Sequence, residues 1–360
     1  MVTEASVNEQ WLQFLREAGA SVEDGTVRSF QGDIGLDHAR SGSFICDLSA
    51  ASLLAFTGPD AETFLHAQLS SDVKSLGEDR AQLSTYNTPK GRILATLLLW
   101  RTDGGFLAQL PTSIAAGVLK RLSMFILRSR VKASDASERF IRLGVGGPAA
   151  REVLTAAGIA TPEEALAVTR VPLHAGAMQP ELVLALPGER FELLCPDFDS
   201  ARAVWSAVRG RGAHPAGTAP WQWLAVQSGI AEIGPETQDR FVPQMLNLEQ
   251  AGAVSFTKGC YPGQEIVART QYRGEIKRRT RLAHLDAIVA PLPGQDIVDA
   301  RAAAQAIGSL VAVAPAPEGG YDVLACLHLE LAAGAELRLG AADGPRLRLV
   351  ELPRAFPAAV

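Results

Sequence analysis

The chain has 360 residues, 47% of them apolar, with a formal net charge of −5 and a pI near 5.8. That length suits two or three domains with real cores, the acidic balance argues against a surface built to coat nucleic acid non-specifically, and no run approaches the ~18 consecutive apolar residues of a membrane span. The four cysteines, Cys46, Cys195, Cys260 and Cys326, are scattered without a CxxC pair, which argues against a disulfide framework or a zinc site and makes the cytoplasm the expected compartment.

Residues 1–20 lack a basic-then-apolar leader; Trp11, Leu12, Phe14 and Leu15 predict a short amphipathic helix instead. "SFICDLSAASLLAFTG" (43–58) reads as strand, turn, strand, and "GPDAETFLHAQLSSD" (58–72) as a helix with Phe64, Leu65 and Leu69 on one face. "LSTYNTPKGRILATLLLWR" (83–101) sets a Pro-Lys-Gly turn between two strands, and "TSIAAGVLKRLSMFIL" (112–127) reads as a helix. In "RFIRLGVGGPAAREVLTAAG" (139–158) a strand runs through a glycine turn into a helix starting near Pro148. Its Gly144, Gly146 and Ala149 fit G-x-G-x-x-A, but no parallel strand with an acidic tip follows, so a structural turn is expected. Strands follow at 182–186 and 191–194, then a helix at 200–209, a linker in "PAGTAP" (215–220) and a helix at 221–228. Beyond Arg281, short strands parted by Gly and Pro predict a small all-β barrel.

Three of the cysteines sit in strand-like apolar runs and are expected to be inert core thiols. Cys260 differs. "SFTKGCYPGQEIVART" (255–270) places it in a glycine-lined loop just before a helix whose expected N-cap is Gly263, with Lys258 two residues away. Unpaired N–H groups at a helix start and a neighbouring ammonium both favour a thiolate. The same residues also suit a tight strand-to-helix turn whose cysteine merely packs. Residues 269–281 hold six basic side chains (Arg269, Arg273, Lys277, Arg278, Arg279, Arg281) against one acid, Glu275: a phosphate-attracting face or a solvated one. Trp221 and Trp223 flank Gln222 at a helix start, where they serve as packing or as an aromatic wall for a flat ligand. The six histidines form no HxxxH pair, so no metal is expected.

"KGCYPGQEIVAR" (258–269) resembles the K-G-C-Y-x-G-Q-E-x-V-A-R signature of the YgfZ family. "RFVPQMLNLEQAGAVSF" (240–256), "YRGEIKRR" (272–279), "FTGPDAETFLHAQLSSDV" (56–73) and "YNTPKGRILATLLLW" (86–100) fit the same family, so the likeness covers about residues 45–335. That family is related to the folate-dependent aminomethyltransferase (T-protein) of glycine cleavage. The resemblance implies an α+β chain of three domains in a ring around a central channel. The first would take 28–55 and 138–225, the second 56–137 and 226–275, and an antiparallel β-barrel would run from 276. It also implies tetrahydrofolate binding and a role in maintaining iron–sulfur enzymes, including enzymes that thiolate tRNA, so that tRNA itself is a partner at most indirectly.

The family cysteine falls on Cys260, with Lys258, Gly259, Tyr261, Gly263, Gln264 and Glu265 matching around it. The aminomethyltransferase aspartate falls on Ala95 or Thr96, neither of which can hold a developing ammonium or take a proton. One-carbon transfer is therefore the alternative rather than the leading expectation. The Glu-Ala-Gly that pairs with a pterin edge is Gln227-Ser228-Gly229 here, which loses charge assistance to that contact. Trp221, Gln227, Tyr86, Asn87 and Arg92 are the residues expected at folate; Cys260 and Lys258 are those expected to carry chemistry.

Overall fold

The computed structural model describes residues 7–171, 178–302 and 306–352; of the histidines considered above, His174 lies outside them. The chain divides into two compact units: 1–54, 77–81 and 135–224 form one; 55–76, 82–134 and 225–360 form the other.

The first unit is built on a six-stranded sheet in the order Val168–Arg170, Leu182–Leu186, Arg190–Cys195, Ile141–Gly146, Phe44–Asp47, His214–Ala216. The last pair is parallel and the other four pairings are antiparallel. Because successive side chains leave a strand on opposite faces, Phe44–Asp47 serves two cores. Ile45 joins Leu143, Val145, Val183 and Leu193 under the helices Val7–Glu17 and Phe198–Arg209, which bring Trp11, Leu15, Val204 and Trp205. Phe44 and Cys46 face the other way, toward Ala216, Leu224 and Trp221. Asp197 caps the helix Phe198–Arg209 by accepting from the Ser200 N–H at 2.8 Å.

In the second unit the strands Ala81–Asn87, Ile93–Thr102 and Gly105–Pro111 form a sheet with Ala51–Thr57 and Lys132–Asp135, the strands at which the chain passes between units. A second, antiparallel sheet of six strands is ordered Leu337–Leu339, Asp296–Asp299, Ala306–Pro315, Tyr321–His328, Arg278–Leu285, Leu347–Val350. It curls until an Arg338–Arg346 bridge joins its edges, around a core of Leu285, Ile297, Leu310, Val323, Ala325 and Leu327. No helix among the described residues is long and apolar enough to cross a membrane.

Three local expectations shift. "PAGTAP" is no linker: Pro215 and Ala216 lie in the parallel edge strand, paired with Ile45 and Cys46, and the next helix opens at Ala219. Pro tolerates this position because an edge strand need not donate on its outer side. The helix after the glycine turn begins at Ala150 rather than near Pro148. The helix from Thr112 stops at Ser123, and Met124, Phe125 and Leu127 are exposed in turns beyond it despite their apolar character.

Candidate functional site

The loop around Cys260 is ordered by main-chain recognition, and its anchors all lie in the second unit. Ser255 N–H donates to the Ser70 carbonyl at 2.9 Å, and Ser255 Oγ accepts from the Lys258 N–H at 3.2 Å. Lys258 then turns inward, 8% exposed. Its Nζ donates to the carbonyls of Leu69 (2.6 Å), Ser71 (3.0 Å) and His66. His66 belongs to the last turn of the helix Ala61–Gln68, and Leu69 is its C-cap. The ammonium therefore sits on carbonyls the helix cannot satisfy itself, at the negative end of its dipole. All three N–H donors are spent. Burial pushes this lysine down to about 8, and its charge also lies 5.1 Å from the Tyr261 ring centroid.

On the far side of the thiol, Gly263 has φ +81 and caps the helix Gln264–Tyr272. A Cβ there would meet Gly91 Cα and the Thr88 carbonyl, each at 2.5 Å. Gly91, at φ +72, would carry a Cβ 3.1 Å from Ile266. The Pro89-Lys90-Gly91 turn and the helix start thus pack backbone to backbone, which only paired glycines permit. Between these two anchors Cys260 is exposed, and a Cβ on Gly259 would meet nothing within 4 Å. Tyr261 is buried, its hydroxyl without a hydrogen-bond partner among the described residues, and burial drives it up to about 12.

The expected division of the thiols follows. Cys46, Cys195 and Cys326 are buried, and desolvation raises all three, Cys326 to about 12. The role expected of Lys258 changes: its ammonium is directed at three carbonyls, so it holds the loop as a clamp and has no donor left for the sulfur.

The residues expected at folate sit in varied surroundings. Asn87, 2% exposed at the end of the strand Ala81–Asn87, has neither Oδ1 nor Nδ2 partnered among the described residues. Tyr86, beside it, is buried and interacts with Arg121 through its hydroxyl. Arg92 is exposed and donates from Nη1 to the Arg240 carbonyl at 2.8 Å. Gln227 Nε2 donates to Asp322 Oδ2 at 2.7 Å, and Asp322 Oδ1 lies 2.8 Å from His284 Nδ1. Nothing in the sequence marks this Gln227–Asp322–His284 chain, since 95 residues part the glutamine from the aspartate. Trp221 belongs to the first unit, where its ring packs on Gly144 and lies 5.0 Å below the Arg190 guanidinium. Ala95 is buried, and Thr96 Oγ1 accepts from the Ile233 N–H at 3.1 Å, a structural hydrogen bond where the resemblance puts the aminomethyltransferase aspartate. In the basic run Arg279 is paired with Glu249, while Arg269, Arg273, Lys277, Arg278 and Arg281 are exposed.

Comparison with known proteins bears on the family and the fold. The model of the GCVT N-terminal domain family matches residues 35–258. The chain is 32% identical over 299 residues to the tRNA-modifying protein YgfZ of Edwardsiella ictaluri (strain 93-146), covering 82% of this chain and 88% of that one. It is 33% identical over 246 residues to the protein of the same name from Klebsiella pneumoniae (strain 342), covering 68% and 73%. Among solved structures it is similar to glycine cleavage system aminomethyltransferase T from Bartonella henselae, with a TM-score of 0.77 at 18% identity over 97% of this chain and 98% of that one. At that identity the likeness is one of fold.

Proposed function

The chain belongs to the YgfZ family and carries its GCVT domain, and from that membership we propose that it is a tetrahydrofolate-binding accessory factor for iron–sulfur enzymes, tRNA-modifying enzymes among them, with Cys260 as its working thiol. The observation that carries the proposal is an exposed cysteine on a loop pinned at both ends, by Lys258 and by the Gly91–Gly263 contact. An exposed thiol on floppy chain is an oxidation liability. One held on a rigid frame can be presented to a client's sulfur or iron.

Asn87 supports the ligand. A buried amide with its donor and its acceptor both unmet is a costly feature, and a pterin edge offers the complementary acceptor and donor. Tetrahydrofolate, when bound, supplies a reduced heterocycle able to carry a one-carbon group. Asn87, Arg92 and Gln227 would orient it, and Tyr86 would back Asn87. Asp322, bonded to Gln227, brings a carboxylate to the neighbourhood that lost one at position 227. One-carbon transfer is not part of the proposal, because Thr96 is engaged with backbone where a carboxylate is needed. The three-domain division belongs to it, supported by the two separate sheets of the second unit. So does a cytoplasmic setting, in which Cys260 stays reduced.

The test is alkylation of Cys260 with and without tetrahydrofolate, paired with calorimetry. Saturable heat and slower alkylation in the presence of ligand are expected. Absence of heat with excess ligand refutes folate binding; heat without protection refutes a shared site for thiol and ligand. The effect on tRNA is expected to be indirect, and tight, salt-sensitive binding of tRNA by the purified protein would overturn that part.

A further inference from the structure

Three side chains outside the Cys260 region meet in the first unit: Asp33, His38 and His214. Each offers one ligand atom, and these atoms all lie within 4.8 Å of one another, the one such grouping of three or more metal-ligating residues among the described residues. We propose that Asp33, His38 and His214 bind a divalent transition-metal ion of the zinc class, with at least one coordination position left to solvent or a further ligand.

The fold builds this cluster from three backbone segments, each fixed independently. Phe30 and Asp33 exchange both main-chain hydrogen bonds at 2.9 Å across a turn in which Gln31 has φ +50 and Gly32 φ +87, as a type I′ turn requires. The Asp33 carboxylate is then aimed: Oδ1 accepts from the Gly35 N–H at 2.7 Å, leaving Oδ2 2.9 Å from His214 Nε2. His214 starts the parallel edge strand, its N–H donating to the Ser43 carbonyl at 3.0 Å. His38 comes from the short helix Leu36–Ser41, and its ring stacks on that of His214 with centroids 4.1 Å apart and planes 7° from parallel, so one ring must turn about its side chain for both nitrogens to meet at one ion. Gly35 makes the approach feasible. It has φ +80, and a Cβ there would lie 2.5 Å from Ala216 Cβ, forcing the helix off the strand that carries His214.

Two imidazoles and one carboxylate are the donor set of open zinc sites and of non-haem iron(II) sites, in which three protein ligands leave room for water or substrate. The side chains of Asp33 and His214 are 52% and 29% exposed, so a bound ion would remain within reach of solvent. A hydrogen-bonded His–Asp pair alone accounts for His214 and Asp33. It does not account for a second histidine delivered to the same point by a glycine-dependent contact.

The test uses the full chain carrying Cys260→Ser, so that the exposed thiol takes no part, after EDTA treatment and dialysis. Titration with Zn²⁺ by calorimetry, and with Co²⁺ by visible absorption, is expected to show one ion per chain. His38→Gln and Asp33→Asn, each checked for its fold by circular dichroism in EDTA, are expected to weaken binding at least about 100-fold, since loss of outer-shell partners alone costs about 10–100-fold. His328→Gln is expected to leave it unchanged. No saturable binding overturns the proposal, and so does binding that survives both ligand substitutions.

Discussion

Replacing Lys258 by methionine keeps the aliphatic stem and removes only the ammonium, so its cost measures the clamp. Three bonds to main-chain carbonyls are lost, from His66, Leu69 and Ser71. Hydrogen bonds to a charged group contribute about 1.5–3 kcal/mol each, which gives a gross loss of about 4–9 kcal/mol. Against this stands the desolvation that pushes the lysine from 10.5 to about 8; at 1.36 kcal/mol per unit that is about 3 kcal/mol recovered when the charge is removed. The net expectation for Lys258→Met is a loss of about 1–6 kcal/mol, read by urea unfolding followed by circular dichroism. The same shift fixes a sign. Between about pH 8 and 10.5 the unfolded chain holds a proton on this lysine that the folded chain has released, so this group makes stability rise with pH across that window. Lys258→Met is expected to lack that rise. A variant within about 0.5 kcal/mol of the parent, the range of ordinary surface substitutions, with an unchanged pH slope, would refute the clamp.

Native protein treated with a thiol reagent is expected to modify Cys260 alone, Cys46, Cys195 and Cys326 reacting only on unfolding; a fast phase surviving Cys260→Ser would contradict their burial. Gly263→Ala places a Cβ 2.5 Å from backbone at a left-handed φ; strain of about 1–2 kcal/mol plus the clash is expected to lower Tm and to change the Cys260 alkylation rate, and an unchanged rate would mean the glycine contact does not position the loop. Asn87→Leu removes two unpartnered buried polar atoms; it is expected to stabilise the ligand-free protein by about 1–3 kcal/mol while abolishing tetrahydrofolate binding, and destabilisation would show that the amide already has a partner.

Local patterns were legible where burial follows the chain's own period. The helix Ala61–Gln68 could be read from spacing, because it packs Phe64 and Leu65 against a core, and the strand Leu182–Leu186 and the strand–turn–strand of 44–57 from their unbroken apolar runs, because they are buried on both faces. Contacts whose partner is backbone, or distant in sequence, were not legible. Any residues at 66–71 would offer Lys258 the same carbonyls, so that segment carries no mark of its role. His38 and His214 stand 176 positions apart and meet only because His214 pairs with Phe44 in a parallel strand, whose next residues, Pro215 and Ala216, composition alone reads as a linker. The apolar run at 124–127 misled in the opposite direction, since apolar residues extend a helix only when a core waits to cover them.

The two anchors of the Cys260 loop divide the labour in a way that explains why the thiol is exposed yet placed. Lys258 fixes the N-terminal side of the loop through charge and Gly263 fixes the helix side through the absence of a side chain, so neither needs the cysteine for packing. Had the sulfur itself been the anchor, as in Cys46, which packs over Gly144 beside the Trp221 ring, it would have been desolvated and raised out of reach of chemistry near neutral pH. Transferring the structural duty to a buried ammonium and a glycine pair leaves residue 260 free to be chosen for reactivity alone. The Cys260→Ala substitution should therefore be nearly silent in stability, within about 0.5 kcal/mol, while removing whatever the thiol does. A large stability cost for that one substitution would mean the sulfur is part of the frame after all, and that the chemistry must be sought elsewhere.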